Sequence, residues 1–511
     1  MSTPVEAMER RTIVAVAAVS VLLGFFALND IPIGVFQDDG HYLVLARAIA
    51  EGAGYRYTNL PGAPAATHFP PGYPLLLAPL WWLAPRFPAN VMLFKLVNVV
   101  LLPVAALGVR AMARRVGGLG VVAAAGIAIA SVASVPLLFL TGLVFSEIAF
   151  IAALCGVLII AESLVRRSDA ISLRAALAVG TAIGALTMLR TIGVTLLPTL
   201  LTVLCWRRRW RDATLVMTGA LVFLLPWQWW TTVHAHDVPS AVAGAYGAYG
   251  PWLVEAWRTG GTSFARAVVV ENLRGLRMPL MLFGLYEVAP WLQAVAALAL
   301  LGFAAVGARR LWSRAPVTVL FFVPYGLLLL AWPFPPDRFL WPLWPVVLVL
   351  LVRGVTALGG ADAQPSVRRP ARVATALLTV CFITWHVRNW SERSWEELAR
   401  TNARVGLAAA GVALALPRDG LVATDQDAMV HLYAGRPAVP LVALTAEQHV
   451  RTRSDDEVAA QVEGVLDAYH PRWVLVVQRE SLRAARLIAT RGRLKLTGAD
   501  PSGVLVYDVV R

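Results

Sequence analysis

Apolar residues fill the chain from residue 12 to about residue 387 in blocks of membrane-spanning length, separated by short, arginine-rich breaks. An α-helix of about 20 such residues crosses the hydrocarbon core of a bilayer. The blocks therefore predict spans near 12–29, 89–109, 119–140, 144–164, 174–189, 191–206, 213–231, 289–308, 316–332, 339–356 and 372–387. The two halves of 174–206 have only about 15 residues each, short for a span, and Arg190 falls at the turn between them. The first block has no small-residue cleavage site before Asn29-Asp30 and reads as a retained anchor. After residue 387 the pattern changes. Short β-rich runs at 421–424, 473–477 and 504–509 alternate with helical stretches such as Asp455–Tyr469. The predicted fold is an all-α polytopic membrane domain of about eleven transmembrane helices, residues 1–387, followed by a small α/β domain, residues 388–511. No internal repeat is visible, which weighs against inverted-repeat transporters.

Composition sharpens this picture. The chain is 58% hydrophobic, above the roughly 45–50% of soluble domains. A formal charge of +14 would suit a nucleic-acid binder, but its distribution excludes that class. Residues 388–511 hold 16 basic and 15 acidic side chains, and the preceding residues 29 basic and 16 acidic. Nineteen of those 29 form six clusters at alternate ends of the blocks: Arg10-Arg11; Arg110, Arg114 and Arg115; Arg166, Arg167 and Arg174; Arg207 to Arg209 with Arg211; Arg309, Arg310 and Arg314; Arg353, Arg368, Arg369 and Arg372. Basic residues collect on cytoplasmic loops, so the N-terminus is expected inside and the tail outside the inner (plasma) membrane of a bacterium. The cysteines, Cys155, Cys205 and Cys381, lie inside apolar blocks, which excludes a disulfide framework or a cysteine metal site.

Three outer segments are then long enough to carry function. The first, 30–89, contains a 14-residue apolar stretch, 72–85, too short to span and better suited to a helix lying at the interface. The second, 232–280, holds Ala243-Gly244-Ala245-Tyr246-Gly247-Ala248-Tyr249-Gly250, a composition that reads as a mobile loop. The third is the tail. Within the first segment, Phe36-Gln37-Asp38-Asp39-Gly40-His41-Tyr42 sets two carboxylates just beyond a span. Such a pair suits general-base work or a divalent metal, and equally a turn whose aspartates cap a helix beginning near His41.

Asp38-Asp39 with Tyr42, then Ala46-Arg47, Glu51-Gly52-Ala53-Gly54-Tyr55 and His68-Phe69-Pro70-Pro71-Gly72-Tyr73-Pro74 resemble the first outer loop of the type-C glycosyltransferases. The nearest patterns are those of the protein O-mannosyltransferases and of the aminoarabinose transferase that modifies lipid A. Ser146-Glu147 opening the fourth span, Thr187-Met188-Leu189-Arg190-Thr191 between the fifth and sixth, and Asp337-Arg338-Phe339 followed by Pro342 and Pro345 extend the resemblance. It implies a membrane glycosyltransferase that takes a sugar from a polyprenyl-phosphate carrier. The acceptor would be a lipid, glycan or protein hydroxyl. Asp38 is implied as base with Asp39 orienting it or an acceptor group, and Glu147, Arg190, Arg338, Lys95, His68, Tyr42 and Tyr73 as substrate-binding residues. Asp38, Asp39 and Glu147 are the candidates for a divalent metal. The aminoarabinose transferases place a lysine before the first-loop proline for the donor phosphate; Phe69-Pro70 stand there in this chain, leaving that part to His68 or Lys95.

The chemistry is coherent without kinship. No nucleotide sugars are available outside the cytoplasm, so a donor must be carried on a polyprenyl phosphate, whose leaving group needs cations more than a proton. The acceptor hydroxyl needs a base. Blander readings stand beside each candidate. Glu147 suits an ion pair inside the bundle, although ionisable groups in spans are usually functional. Lys95, about 9 Å inside its span at about 1.5 Å per residue, suits a snorkelling lysine. Arg190 and Arg338 suit interfacial anchors, as do Trp81-Trp82, Trp227, Trp229-Trp230, Trp341 and Trp344. His41 and His68 suit ordinary polar contacts, and Asp425 and Asp427 turn or cap residues. The rival functions are a secondary transporter or lipid flippase, and an oligosaccharide ligase or polymerase.

Overall fold

The structure is a computed structural model and describes residues 4–167 and 172–510. Its contacts group the chain into two compact units. The first comprises Met1–Asn29, Leu96–Pro226 and Val269–Trp395; the second comprises Asp30–Lys95, Trp227–Val268 and Glu396–Arg511. The second unit thus gathers most of the three segments read from the sequence as outer ones.

The first unit is helical. Among the described residues, seven helical stretches of the chain are long and apolar enough to cross a membrane: Pro4–Ala27, Val91–Arg115, Glu147–Arg166, Trp210–Val233, Pro290–Leu311, Asp337–Gly359 and Pro365–Ala415. Val121–Val132 and Val135–Thr141, bent by 60°, make an eighth if taken as one span. Leu173–Leu189, Thr191–Trp206 and Pro316–Ala331 are apolar but shorter. A helix therefore occupies each block read as a span, and the protein is a multi-pass membrane protein. Several starts carry proline in the first turn, as at Pro290, Pro316 and Pro365, where its missing N–H costs nothing. Two helix pairs touch backbone to backbone. A side-chain carbon on Gly307 would land on the carbonyl oxygen of Leu350, and one on Gly354 on that of Phe303. Gly180 and Gly219 stand in the same relation to Val216 and Leu177. Apolar side chains gain little by leaving lipid for another helix, so small residues that allow close contact do the joining.

The second unit is α/β. Its five-stranded sheet has the order β2-β1-β3-β5-β4, with β1 Val422–Thr424, β2 Ala438–Pro440, β3 Trp473–Val476, β4 Leu494–Ala499 and β5 Leu505–Val509. β1 pairs in parallel with β2 and β3, and β5 is antiparallel to β3 and β4. β1 to β3 are buried throughout, so they read as short apolar runs without alternation. Val422, Val430, Trp473 and Leu475 with Ala409 and Ala413 form the core. The predicted helix Asp455–Tyr469 is present, started by a capping box between Ser454 and Glu457. Two helices come from the first outer segment, Asp38–Ala50 and Gly72–Leu83. Gly72–Leu83 buries Tyr73, Leu77 and Trp81 and exposes Leu75, Leu76, Trp82 and Leu83, the one-sided apolar surface of an interfacial helix.

The Gly/Tyr-rich piece is not the mobile loop its composition suggests. Ala243–Tyr246 is a helical turn, Tyr246 is fully buried, and Gly244 lies against the backbone of Leu444. These small residues serve close approach rather than mobility.

Candidate active site

Three of the predicted site residues meet in the first unit. Glu147 opens Glu147–Arg166, Arg338 lies in the turn Asp337–Leu340, and Arg190 is the extended residue (φ −152°, ψ 127°) between Leu173–Leu189 and the 3-10 turn Thr191–Thr195. Oε1 of Glu147 lies 2.6 Å from Nη1 of Arg190 and 2.6 Å from Nε of Arg338. The ring of Phe145 lies 4.2 Å from the Arg338 guanidinium and that of Phe339 5.3 Å from that of Arg190. Nη1 of Arg190 also donates to the Ser146 hydroxyl at 3.2 Å. Glu147 is wholly buried and Arg190 nearly so, whereas the Arg338 side chain is 30% exposed. Oε2 of Glu147 and Nε of Arg190 have no hydrogen-bond partner among the described residues. One carboxylate faces two guanidiniums, and one of these two cations reaches the surface.

The aspartate pair lies in the second unit, and its members differ. The helix starts at Asp38 rather than near His41. Asp39 is buried, its Oδ2 accepting from the Gly34 amide at 2.7 Å and its Oδ1 from that of Phe36 at 3.0 Å. Burial pushes its carboxyl up, opposed by those two amides. Asp38 is only partly buried. Gln37 before it takes φ 62° and ψ −61°, with the Asp38 amide bonded to the Phe36 carbonyl at 2.7 Å. That is a γ-turn of positive φ, a strain of order 1–3 kcal/mol.

The remaining candidates are buried in the same unit. His68 Nδ1 is 2.8 Å from the Gly247 carbonyl, and burial pulls the imidazole down to about 4. It is neutral at pH 7 and brings no cationic charge for a phosphate. Lys95 donates to the Ile31 carbonyl at 2.5 Å and is fully buried. Tyr42 stacks edge-on against Phe69 and Tyr73, with ring centroids 5.1 and 5.0 Å apart, and both tyrosines are buried. Among the described residues no three His, Cys, Asp or Glu side chains gather as a metal set. Asp39 and Glu147 point their carboxylates at amides and guanidiniums, so we derive no step through a metal.

One further cluster joins residues far apart in the chain and leaves no motif. His41 Nε2 is 2.9 Å from the Tyr246 hydroxyl, Asn59 Nδ2 donates to the same oxygen at 2.5 Å, and that hydroxyl donates to Oδ2 of Asp427. Asp427 opens the helix Asp427–Ala434, so the turn-or-cap reading covers its backbone but not its side chain. Asp425 is a cap across the sheet, accepting from the Val477 and Gln478 amides and the Ser481 hydroxyl.

No family model matches the chain, and no curated protein sequence matches it. Solved structures do match. ArnT from Cupriavidus metallidurans in the apo state aligns over 98% of this chain and 98% of its own, at 14% identity and a TM-score of 0.57. The apo oligosaccharyltransferase of Archaeoglobus fulgidus aligns over 98% of this chain and 74% of its own, at 12% identity and a TM-score of 0.55. The oligosaccharyltransferase AglB from Archaeoglobus fulgidus, in complex with an inhibitory peptide and a dolichol-phosphate, aligns over 98% of this chain and 74% of its own, at 13% identity and a TM-score of 0.54. At such identities the likeness is one of architecture: the chain has the fold of the type-C membrane glycosyltransferases.

Proposed function

We propose that this protein is a membrane glycosyltransferase that moves a sugar from a polyprenyl-phosphate carrier to a hydroxyl on a lipid, glycan or protein, on the extracytoplasmic side. The observation that carries the reading is the Glu147–Arg190–Arg338 cluster, with two guanidiniums on one carboxylate and Arg338 at the surface. Asp38 accepts the proton of the acceptor hydroxyl, whose oxygen attacks the anomeric carbon. The bond from that carbon to the phosphate oxygen breaks, and the carrier leaves with the electron pair. Its phosphate gains one negative charge, which the two guanidiniums stabilise more in the transition state than in the ground state. Arg338 can present a two-donor fork to phosphate, with Glu147 orienting both arginines. Asp39 fixes the loop before Asp38. AglB is bound to a dolichol-phosphate in one of the matching structures, which agrees in kind with such a donor.

In this reading residues 1–387 form the transmembrane domain with eleven spans, the three shorter apolar helices included. Residues 388–511 lie outside the inner membrane with the first two outer segments. The test is purified protein in lipid with radiolabelled polyprenyl-phosphate sugars and extracted envelope fractions. Label should pass to an acceptor; solute uptake with no transfer from any donor would point to a transporter instead. A C-terminal reporter active only in the cytoplasm should stay silent, and signal from it would reverse the orientation.

A further inference from the structure

We infer that Tyr246 and Asp427 are positioning residues: the tail of the chain holds the first turn of the helix that presents Asp38. The inference rests on Asp38 being the base.

The residues that follow Asp38 are anchored, and Asp38 itself is partly buried. Asp39 ties the preceding loop through the Gly34 and Phe36 amides. Gly40 faces the tail helix Asp427–Ala434 so closely that an added side-chain carbon would stand 2.8 Å from that of Ala428. His41, one turn after Asp38 and therefore on the same side of the helix, reaches the Tyr246 hydroxyl at 2.9 Å. That hydroxyl is the hub of the network. It accepts from Asn59 at 2.5 Å and donates to Asp427, with His41 as a further neighbour. Burial and the adjoining Asp427 carboxylate hold the phenol far above its usual range, so it remains a donor at all working pH values. The Tyr246 ring also packs 4.6 Å from His41 and 4.7 Å from Tyr57. The network joins residues about 180 to 370 positions apart in the chain.

Packing alone does not call for this arrangement. A buried carboxylate served by a phenol and an amide is a poor way to gain stability compared with apolar side chains of the same volume, but it fixes one geometry and rejects near neighbours. Apolar contact would tolerate a helix sliding by a fraction of an ångström; a hydrogen-bonded hub does not. A general base must meet its proton within hydrogen-bond reach, and small misplacements are costly in rate. The strained γ-turn at Gln37 needs such a fixed surround to persist.

The test uses full-length protein in lipid and the variants Tyr246→Phe, which removes one oxygen and keeps the ring, and Asp427→Asn. Amide exchange should quicken tenfold or more at 36–45 and stay unchanged in β3. With the carrier-linked sugar as probe, turnover should fall about tenfold while the donor KM moves less than twofold. Exchange that is unchanged at 36–45, or quickened equally in β3, overturns the inference. So does local loosening with turnover intact. If the wild-type protein transfers no sugar, the transferase reading fails, and the anchoring of residues 36–45 is then decided by exchange alone.

Discussion

Glu147 and Asp427 are both carboxylates removed from water, yet they are answered in opposite ways. Glu147 faces two full positive charges in the helical unit, and one of the two arginines is 30% exposed. Asp427 faces a phenol, an amide and, 3.9 Å away, an imidazole, all buried in the α/β unit. The first arrangement brings two guanidiniums together with one of them at the surface; the second is wholly buried and sets geometry. A buried acidic residue is thus no single signal: the balance of its partners separates a binding cluster from a structural one.

The sharpest way to break the comparison is Glu147→Ala. Two guanidiniums would then lie close together without the carboxylate between them, and removing one partner of a buried pair costs about 3–5 kcal/mol. Thermal unfolding should show a large loss or the protein should fail to accumulate; normal stability would mean that Glu147 carries no such load. Next comes Asp38→Asn, expected to cut transfer about a hundredfold, or about 2.7 kcal/mol of barrier. Its Tm should stay near wild type because Asp38 is only partly buried, and full activity would remove it as base.

A smaller effect is expected from pH, and in the α/β unit. Burial lowers His68 from 6.5 to about 4, and His431 shifts the same way, also to about 4. The unfolded chain takes up these protons near pH 6.5 while the folded chain refuses them until about 4, so stability is full above 6.5 and lost as pH falls through that window. At pH 5 the loss from His68 alone is about 2 kcal/mol. His68→Asn, which can still donate to the Gly247 carbonyl, should flatten the Tm profile between pH 7 and 5; an unchanged slope would clear His68. The smallest effect is Arg338→Lys, which keeps the charge and loses the fork. Turnover should fall about tenfold, about 1.4 kcal/mol, with donor affinity retained. Equal losses in both would make Arg338 a simple ground-state contact.

Much of the helical unit was legible because one requirement, apolar length between cytoplasmic arginines, governs it. The break at Arg190 was visible for the same reason: two halves too short to be one ordinary span must meet somewhere. The α/β unit was harder. β2 and β4 lie at the sheet edges; β2 is only three residues long and ends in Pro440, and β4 contains Lys495, Thr497 and Gly498 and makes no apolar run. Tyr246 was hidden because glycine-rich composition describes local freedom, whereas its partners stand 181 to 205 residues away. His68 and Lys95 were legible as polar residues near the membrane, but only burial shows that His68 is uncharged.

The glycine contacts between helices bear on how this chain will respond to random mutation. Gly307 and Gly354, like Gly180 and Gly219, press against the backbone of a neighbouring helix, where even one methyl group has no room. A saturation scan scored by survival should therefore mark these four positions as intolerant as the charged ones, although they touch no substrate. Reduced surface or membrane abundance at the glycines, against normal abundance at Asp38, would separate the two kinds of intolerance and keep a packing constraint from being mistaken for a catalytic one.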